Sequence, residues 1–166
     1  MKYLRSCLLL MLTISLSACG FHFENQSELA QKLQHLHLES NDPYADMTVA
    51  MRQELKRHQL LVNENQVKDS TAPILRINSV QTNSQVASVF QQGRAAETIL
   101  SLTVNAVLII NNQRYPIQVK SNRVFFDNPR EALAKNTEKS AISQALYQQA
   151  AQQIWLKLLT IQKQLN

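Results

Sequence analysis

The stretch LSLTVNAVLIINNQRYPIQVK, residues 100–120, decides the centre of the fold. Apolar residues recur at alternate positions from 100 to 110, with polar residues among the positions between them. Because successive side chains of a β-strand point to opposite faces, this pattern predicts a strand with one buried face. Asn111-Asn112 follows, and asparagine tolerates the left-handed backbone of a tight hairpin turn. A second strand then alternates as far as residue 126, so the stretch predicts a β-hairpin.

Upstream of this hairpin, the sequence predicts two further strands and one helix. Residues 35–39 alternate as a short strand, and residues 74–82 as another that continues irregularly towards Phe90. Gly93 marks the turn after it, since glycine adopts a positive φ at no steric cost. Asp42-Pro43 predicts a helix start, with Asp42 as N-cap and Pro43 as first helical residue. That helix should run to about His58, with one apolar face made of Met47, Ala50, Met51 and Leu55.

The last segment predicts a second, longer helix. Asn128-Pro129 begins it, and Glu131 completes a capping-box pattern. Polar residues 135–139 suggest an interruption. The predicted class is therefore α+β: a two-layer sandwich of a mixed four-stranded sheet with two helices packed on one face. The apolar series that keeps the helical period consists of Ile142, Leu146, Ala150, Ile154, Leu158, Ile161 and Leu165.

The first residues predict export and a lipid anchor. Lys2 and Arg5 precede an apolar run, as in a signal peptide covering residues 1–18. The sequence LSAC that ends at Cys19 resembles a bacterial lipobox, in which the cysteine is acylated and anchors the mature chain. The alternatives are an ordinary cleaved signal with a chance cysteine, or an uncleaved membrane anchor. Gly20, where aspartate commonly retains lipoproteins at the inner membrane, favours the periplasmic side of the outer membrane.

After the signal peptide, residues 19–32 read as the lipidated N-terminus and tether, and 33–166 as a single α/β domain. Both cysteines lie in the first nineteen residues, so we expect no disulfide. The chain has only two glycines, which excludes a glycine-rich phosphate loop. The net charge of +5 is compatible with an ordinary solvated surface or with an anionic ligand of the cell envelope.

No set of residues predicts catalysis, so we expect no enzyme, no cofactor and no metal. His35 and His37 share one strand face without a third ligand at a recognisable spacing. With neither catalysis nor metal binding predicted, the sequence favours a binding function. Basic residues in the second half stand near Phe90, Phe125 and Phe126, which suits an amphipathic anion, or else the aromatic rings belong to the core. These basic residues are Arg94, Arg114, Lys120, Arg123, Arg130, Lys135 and Lys139.

Seven short segments, in order along the predicted mature chain, together resemble the LptE family of lipopolysaccharide-assembly lipoproteins. They are CGFH (19–22), DPY (42–44), SVF (88–90), GRAAE (93–97), FDNP (126–129), ALAK (132–135) and AAQQ (150–153).

The resemblance implies a non-enzymatic function. Proteins of this family assist the folding of the LptD β-barrel, plug its lumen as a one-to-one complex, and with it insert lipopolysaccharide into the outer leaflet of the outer membrane. It implies lipopolysaccharide binding at Lys135 and at the position of Gln91, where many relatives carry a basic residue; the hypothesis is that Arg94, three residues on, substitutes for it. It also implies barrel or ligand contact by Phe90, Gly93, Asp127, Asn128 and Pro129.

Two other functions stay open at this stage. One is a free-standing periplasmic lipoprotein that binds an anionic envelope ligand without a barrel partner. The other is a cell-wall hydrolase, which would need an acid or nucleophile pair among Glu97, Asp127, Glu131 and Glu138.

Overall fold

The computed structural model describes residues 33, 36–60, 72–126 and 132–164, with side chains in the last range described from 137 onwards. The predicted signal peptide and Cys19 lie outside these residues, as do Asp127, Asn128 and Pro129. The elements in chain order are β1 (His37–Ser40), α1 (Asp46–Arg57), β2 (Ile74–Val89), β3 (Ala95–Ile110), β4 (Gln113–Phe126) and α2 (Ala132–Gln164).

The four strands form one mixed sheet in the order β1-β2-β3-β4. β1 runs parallel to β2, because α1 carries the chain back between them. β2, β3 and β4 are antiparallel and joined by short hairpins. The four-stranded mixed sheet with two helices confirms the predicted fold class.

One hydrophobic core lies between the sheet and the helices. The even-numbered residues of β3 from Leu100 to Leu108 are buried, together with Ile117 and Val119 of β4. All four residues predicted for the apolar face of α1 are buried. In α2, the positions of the predicted series at Leu146, Ala150, Ile154 and Leu158 are buried as well. The period-2 and period-3.6 patterns therefore identified most of this core.

The hairpin between β3 and β4 has the predicted turn. Asn111 and Asn112 both have positive φ angles, 49° and 64°, and Ile110 pairs with Gln113 directly before and after them. Positive φ at both central residues is the signature of a type I′ turn, whose twist matches that of the flanking strands.

We expect Asn112→Ile to lower the free energy of unfolding by about 1–2 kcal/mol, because a β-branched residue is strained at positive φ. Asn112→Gly, which fits the same backbone, is the matched control and should leave stability equal or higher. Urea denaturation of the three proteins measures this. Equal midpoints for the isoleucine and glycine variants would contradict the turn assignment.

The predicted start of α1 at Asp42-Pro43 is wrong, since the helix begins at Asp46. Asp42 Oδ1 accepts a hydrogen bond from the Tyr44 N–H at 2.8 Å, so this side chain closes a turn before the helix. Aspartate favours turns and N-caps for the same reason, namely that its carboxylate binds a nearby backbone N–H. The pattern alone does not separate the two.

The predicted interruption of the last helix at residues 135–139 is also wrong. α2 runs without a break from Ala132 to Gln164, about 50 Å of helix. Residues 137–141 are exposed and need no apolar face, and continuing an existing helix through polar residues costs little. The predicted capping box at Asn128 and Glu131 lies outside the described residues.

β2 is much longer than predicted. It extends over 16 residues to Val89, whereas β1 pairs only with Ile74–Ile77. From residue 78 onwards most of β2 is exposed, even on the face that β3 buries, and Val80 and Val86 are 39% and 52% exposed. α1 and β1 therefore cover only the first part of this strand.

Candidate functional site

The turn between β2 and β3 places four of the predicted site residues together. The Phe90 N–H donates to the Arg94 carbonyl at 2.8 Å, and the Gly93 N–H donates to the Phe90 carbonyl at 2.8 Å. Gly93 has a φ of +76°, which confirms the reason for glycine at this position. Gln91 and Arg94 are exposed in this turn, so both side chains are accessible to a ligand.

Exposed apolar side chains surround this turn. Phe90 is 45% and Phe126 63% exposed, and the register of β4 places Phe126 opposite Glu97, near the start of β3. Phe125 is only 4% exposed and belongs to the core. The interpretation of the aromatic rings as core residues therefore holds for Phe125, whereas Phe90 and Phe126 are exposed. Together with Val89 and Val124, Phe90 and Phe126 form what we call the hairpin-end patch.

The basic residues do not form the single cluster that the sequence suggested. Arg114 pairs with Ile109 and Lys120 with Thr103, which places them at the opposite end and in the middle of the sheet. Arg123 pairs with Leu100, nearer the hairpin-end patch, and is exposed. The prediction failed because positions close in sequence lie far apart along a 14-residue strand.

Lys135 lies in the first turn of α2, which begins five residues after β4 ends beside the hairpin-end patch. Five linking residues span at most about 20 Å, so the chain brings the start of α2 to this end of the sheet. Lys139, one turn further, lines a cavity together with Thr82, Ser84 and Leu100.

The structure shows a cleft between α2 and its neighbours that was not predicted from the sequence. One cavity of about 570 Å³ lies between α1 and α2, and another of about 240 Å³ lies between α2 and the exposed half of β2. Lys139, Ser143 and Tyr147 line both cavities, so the two are adjacent. The signal in the sequence was the polar residues Thr82 and Ser84 at positions of β2 that line this cavity.

Tyr147 in this cleft has a perturbed hydroxyl. Burial raises its pKa above the ordinary value of 10.0, and the negative charge of Asp46 raises it further. Both effects disfavour the phenolate. The folded state thus holds this proton more tightly than the unfolded chain, so the stabilisation is complete below pH 10 and is lost as pH rises through the folded-state pKa.

We expect Asp46→Asn to lower the pKa of Tyr147, because it removes the second cause and leaves burial in place. Asp42→Asn is the control and should leave the titration unchanged. An NMR titration of the tyrosine ring carbons measures both. An unchanged Tyr147 titration in Asp46→Asn would show that Asp46 does not act on the hydroxyl.

Neither a membrane-spanning helix nor a metal-binding group was found in the part of the chain that the structure describes. No helix there is long and apolar enough to cross a bilayer. Within the same residues, no three histidine, cysteine, aspartate or glutamate side chains come together as metal ligands.

Comparison with known proteins identifies relatives over most of the chain. The family model described as "LptE: Lipopolysaccharide-assembly" matches residues 33–158. The chain is 38% identical to the LPS-assembly lipoprotein LptE of Photorhabdus laumondii over 156 residues, covering 93% of this chain and 85% of that protein. It is 37% identical to the protein of the same name from Pectobacterium atrosepticum over 163 residues, covering 97% and 88%.

The fold is also similar to a solved structure. The crystal structure of the rare lipoprotein B from Shewanella oneidensis superposes with a TM-score of 0.70, covering 78% of this chain and 97% of that one. At 24% identity this likeness supports the fold alone.

Proposed function

Since this chain belongs to the LptE family of lipopolysaccharide-assembly lipoproteins, we propose that it plugs and helps to assemble an LptD-type β-barrel. Family membership is the observation that carries the proposal. The pair inserts lipopolysaccharide into the outer leaflet of the outer membrane. Acylated Cys19 holds the chain on the periplasmic side of that membrane, and the plug itself performs no catalysis.

The proposal includes direct binding of lipopolysaccharide at the hairpin-end patch. This ligand carries phosphates next to acyl chains, so it needs cations beside apolar side chains. Arg94 supplies a guanidinium in the same turn as exposed Phe90. Lys135 adds a second cation from the first turn of α2, and Gln91 offers an amide for hydrogen bonding. Asp127, Asn128 and Pro129, together with Phe90 and Gly93, contact the barrel or the ligand in this proposal.

We expect Arg94→Glu combined with Lys135→Glu to weaken lipopolysaccharide binding at least about 100-fold. Each charge-assisted hydrogen bond contributes about 1.5–3 kcal/mol, and the reversed charges repel phosphate. Arg114→Glu is the matched control, because it reverses an exposed arginine at the opposite end of the sheet. Titration of purified protein with fluorescent lipopolysaccharide measures all three. Equal losses in both variants would indicate non-specific attraction to the whole basic surface.

Purification tests the barrel partnership separately. A C-terminally tagged chain is extracted from the outer membrane in detergent, and the co-purifying proteins are quantified. One large β-barrel in equal amount supports the plug. A lipoprotein that purifies alone but still binds lipopolysaccharide would instead be the free-standing ligand binder.

A further inference from the structure

The outer edge of β2 is open over most of its length. β1 pairs with Ile74–Ile77 and then leaves the sheet, because Ser40 leads into the turn before α1. Among the residues that the structure describes, no strand pairs with this edge from residue 78 to Val89. About twelve residues of strand therefore have one free side.

The hairpin register shows which backbone groups face outward. In a two-residue hairpin the flanking residues form a hydrogen-bonded pair, here Ile110 and Gln113. Bonding then alternates, so even-numbered residues of β3 bond to β4 and odd-numbered ones to β2. The odd-numbered residues of β3 from 99 to 105 pair with Ser79, Gln81, Asn83 and Gln85. The residues of β2 that direct N–H and C=O groups outward are consequently Val80, Thr82, Ser84 and Val86.

The opposite edge of the sheet agrees with this assignment and is protected. By the same alternation, the backbone N–H and C=O positions of Pro116 and Gln118 in β4 point away from β3, towards the free edge. Proline has no N–H to offer, and the Gln118 carbonyl accepts a hydrogen bond from Lys157 Nζ of α2 at 2.7 Å. Lys120 and Arg123 add charge to this strand. Proline, charge and a covering side chain are the usual means by which proteins prevent strand addition.

Proline and charge are both missing along the open edge of β2, and no covering side chain from another element is seen among the residues that the structure describes. Residues 78–89, NSVQTNSQVASV, include no proline, no glycine and no charged side chain. Asparagine, glutamine, serine and threonine keep the segment soluble without preventing backbone pairing. This composition is typical of an edge that accepts another strand.

The surfaces on either side of this edge determine which side chains an added strand should carry. On the helix side lies the cleft of about 240 Å³, lined by Thr82, Ser84, Leu100 and Leu146. Side chains of a strand alternate, so every second residue of the added strand would face this cleft and the others the solvent face of the sheet. A segment with apolar residues at alternate positions fits both surfaces.

Charge favours a different protein over a second copy of this chain. Arg76 stands just before the open edge and Arg94 just after it, and only Arg76 has an acidic partner, Glu39 at 2.7 Å, among the pairs that the structure gives. In an antiparallel pairing of two copies centred on the edge, Arg94 of one would lie near residues 72–77 of the other, which include no acidic residue, and Arg76 there is already paired with Glu39. An acidic residue on the added strand opposite Arg94 would instead be attracted.

We propose that residues 78–89 of β2 bind an extended segment of the barrel partner as an added strand. The segment has apolar residues at alternate positions, no charge in its middle and an acidic residue near Arg94. This inference rests on the proposed function, because the occupant is the barrel of that proposal. Binding is carried by backbone hydrogen bonds, and the cleft selects the side chains.

Paired proline variants of the full lipidated chain test the proposal. Thr82→Pro removes an outward N–H from the open edge of β2, and Asn122→Pro removes an equivalent outward N–H from β4. Neither N–H bonds within the sheet by the register above, so both variants should fold, which circular dichroism verifies. We expect Thr82→Pro to reduce recovery of the barrel about tenfold and Asn122→Pro to leave it unchanged.

Hydrogen–deuterium exchange of the unmodified chain gives an independent measurement. The peptide covering 78–89 should exchange quickly in the free chain and become protected in the purified barrel complex. Full barrel recovery with unchanged exchange at 78–89 would overturn the added strand and leave the plug intact. Protection of 78–89 in the free chain, whether by self-association or by another part of this chain, would also overturn it. If the unmodified chain recovered no barrel, the proposed function would fail and the inference with it.

Discussion

Leu158→Ala is expected to lower the free energy of unfolding by about 2–5 kcal/mol. Leu158 is completely buried in α2, in the core between helix and sheet. Truncation to alanine removes apolar contacts and leaves a cavity that a long, straight helix cannot close by local movement. Urea denaturation of the purified protein measures the loss. A domain of this size is stable by only about 5–15 kcal/mol, so the variant should be close to unfolding at 37 °C.

Leu156→Ala is the matched control for this prediction. Leu156 lies two residues earlier in the same helix, has the same side chain and is 54% exposed. We expect its replacement to change stability by no more than about 0.5 kcal/mol. Comparable losses for the two variants would show that α2 packs through a different face.

His58→Ala is expected to cost about 2–4 kcal/mol, the second-largest effect. The imidazole stacks on Trp155 of α2 with ring centroids 4.1 Å apart and an interplanar angle of 16°. Its Nε2 lies 3.1 Å from Glu54 Oε1, and the Glu54 side chain is only 5% exposed. Alanine removes an aromatic contact of about 0.5–1.5 kcal/mol and a partner that a buried carboxylate needs, about 1.5–3 kcal/mol.

Arg57→Ala tests how much an exposed ion pair to the same Glu54 carboxylate contributes, in comparison with the less exposed His58. Arg57 lies 2.8 Å from Glu54 Oε2, closer than His58, but its side chain is 66% exposed. Exposed ion pairs contribute little, so we expect a loss below about 1 kcal/mol that decreases further in salt. Chemical denaturation at low and high salt compares the two variants. A larger loss from Arg57→Ala than from His58→Ala would mean that the exposed ion pair within α1 stabilises the fold more than the stacked ring that contacts α2.

Neither of these partners of Glu54 was predictable from the sequence. The periodic pattern identified the buried face of α1 through Met47, Ala50, Met51 and Leu55. Glu54 is also buried, because His58 and Arg57 satisfy its oxygens, and a pattern of apolar residues does not register a carboxylate. Trp155 was missed for a similar reason, since it flanks the stripe that runs through Ile154 and Leu158.

Predictions from single residues were correct where one physical property of the residue determines the local backbone conformation. The positive φ of Gly93 and of Asn111-Asn112 followed from residue type alone. Asp42 was misassigned because turn and helix cap use the same hydrogen bond. The residues around the hairpin-end patch could be predicted only in part from the sequence. Which charged side chains are neighbours depends on the strand register and not on their distance in sequence. Phe125 and Phe126 illustrate this, as adjacent residues of one strand face the core and the solvent.

The order of elements along the chain has a consequence for biosynthesis. The hairpins of β2, β3 and β4 join neighbouring segments, so this meander can form early from contacts of low sequence separation. The helix α2 that covers its apolar face is the last element to be made. Until residues 142–158 have emerged, the row of leucine and valine side chains on β3 has no cover. In this state the chain exposes both an apolar sheet face and an unpaired strand edge, and we expect it to aggregate more readily than after α2 docks.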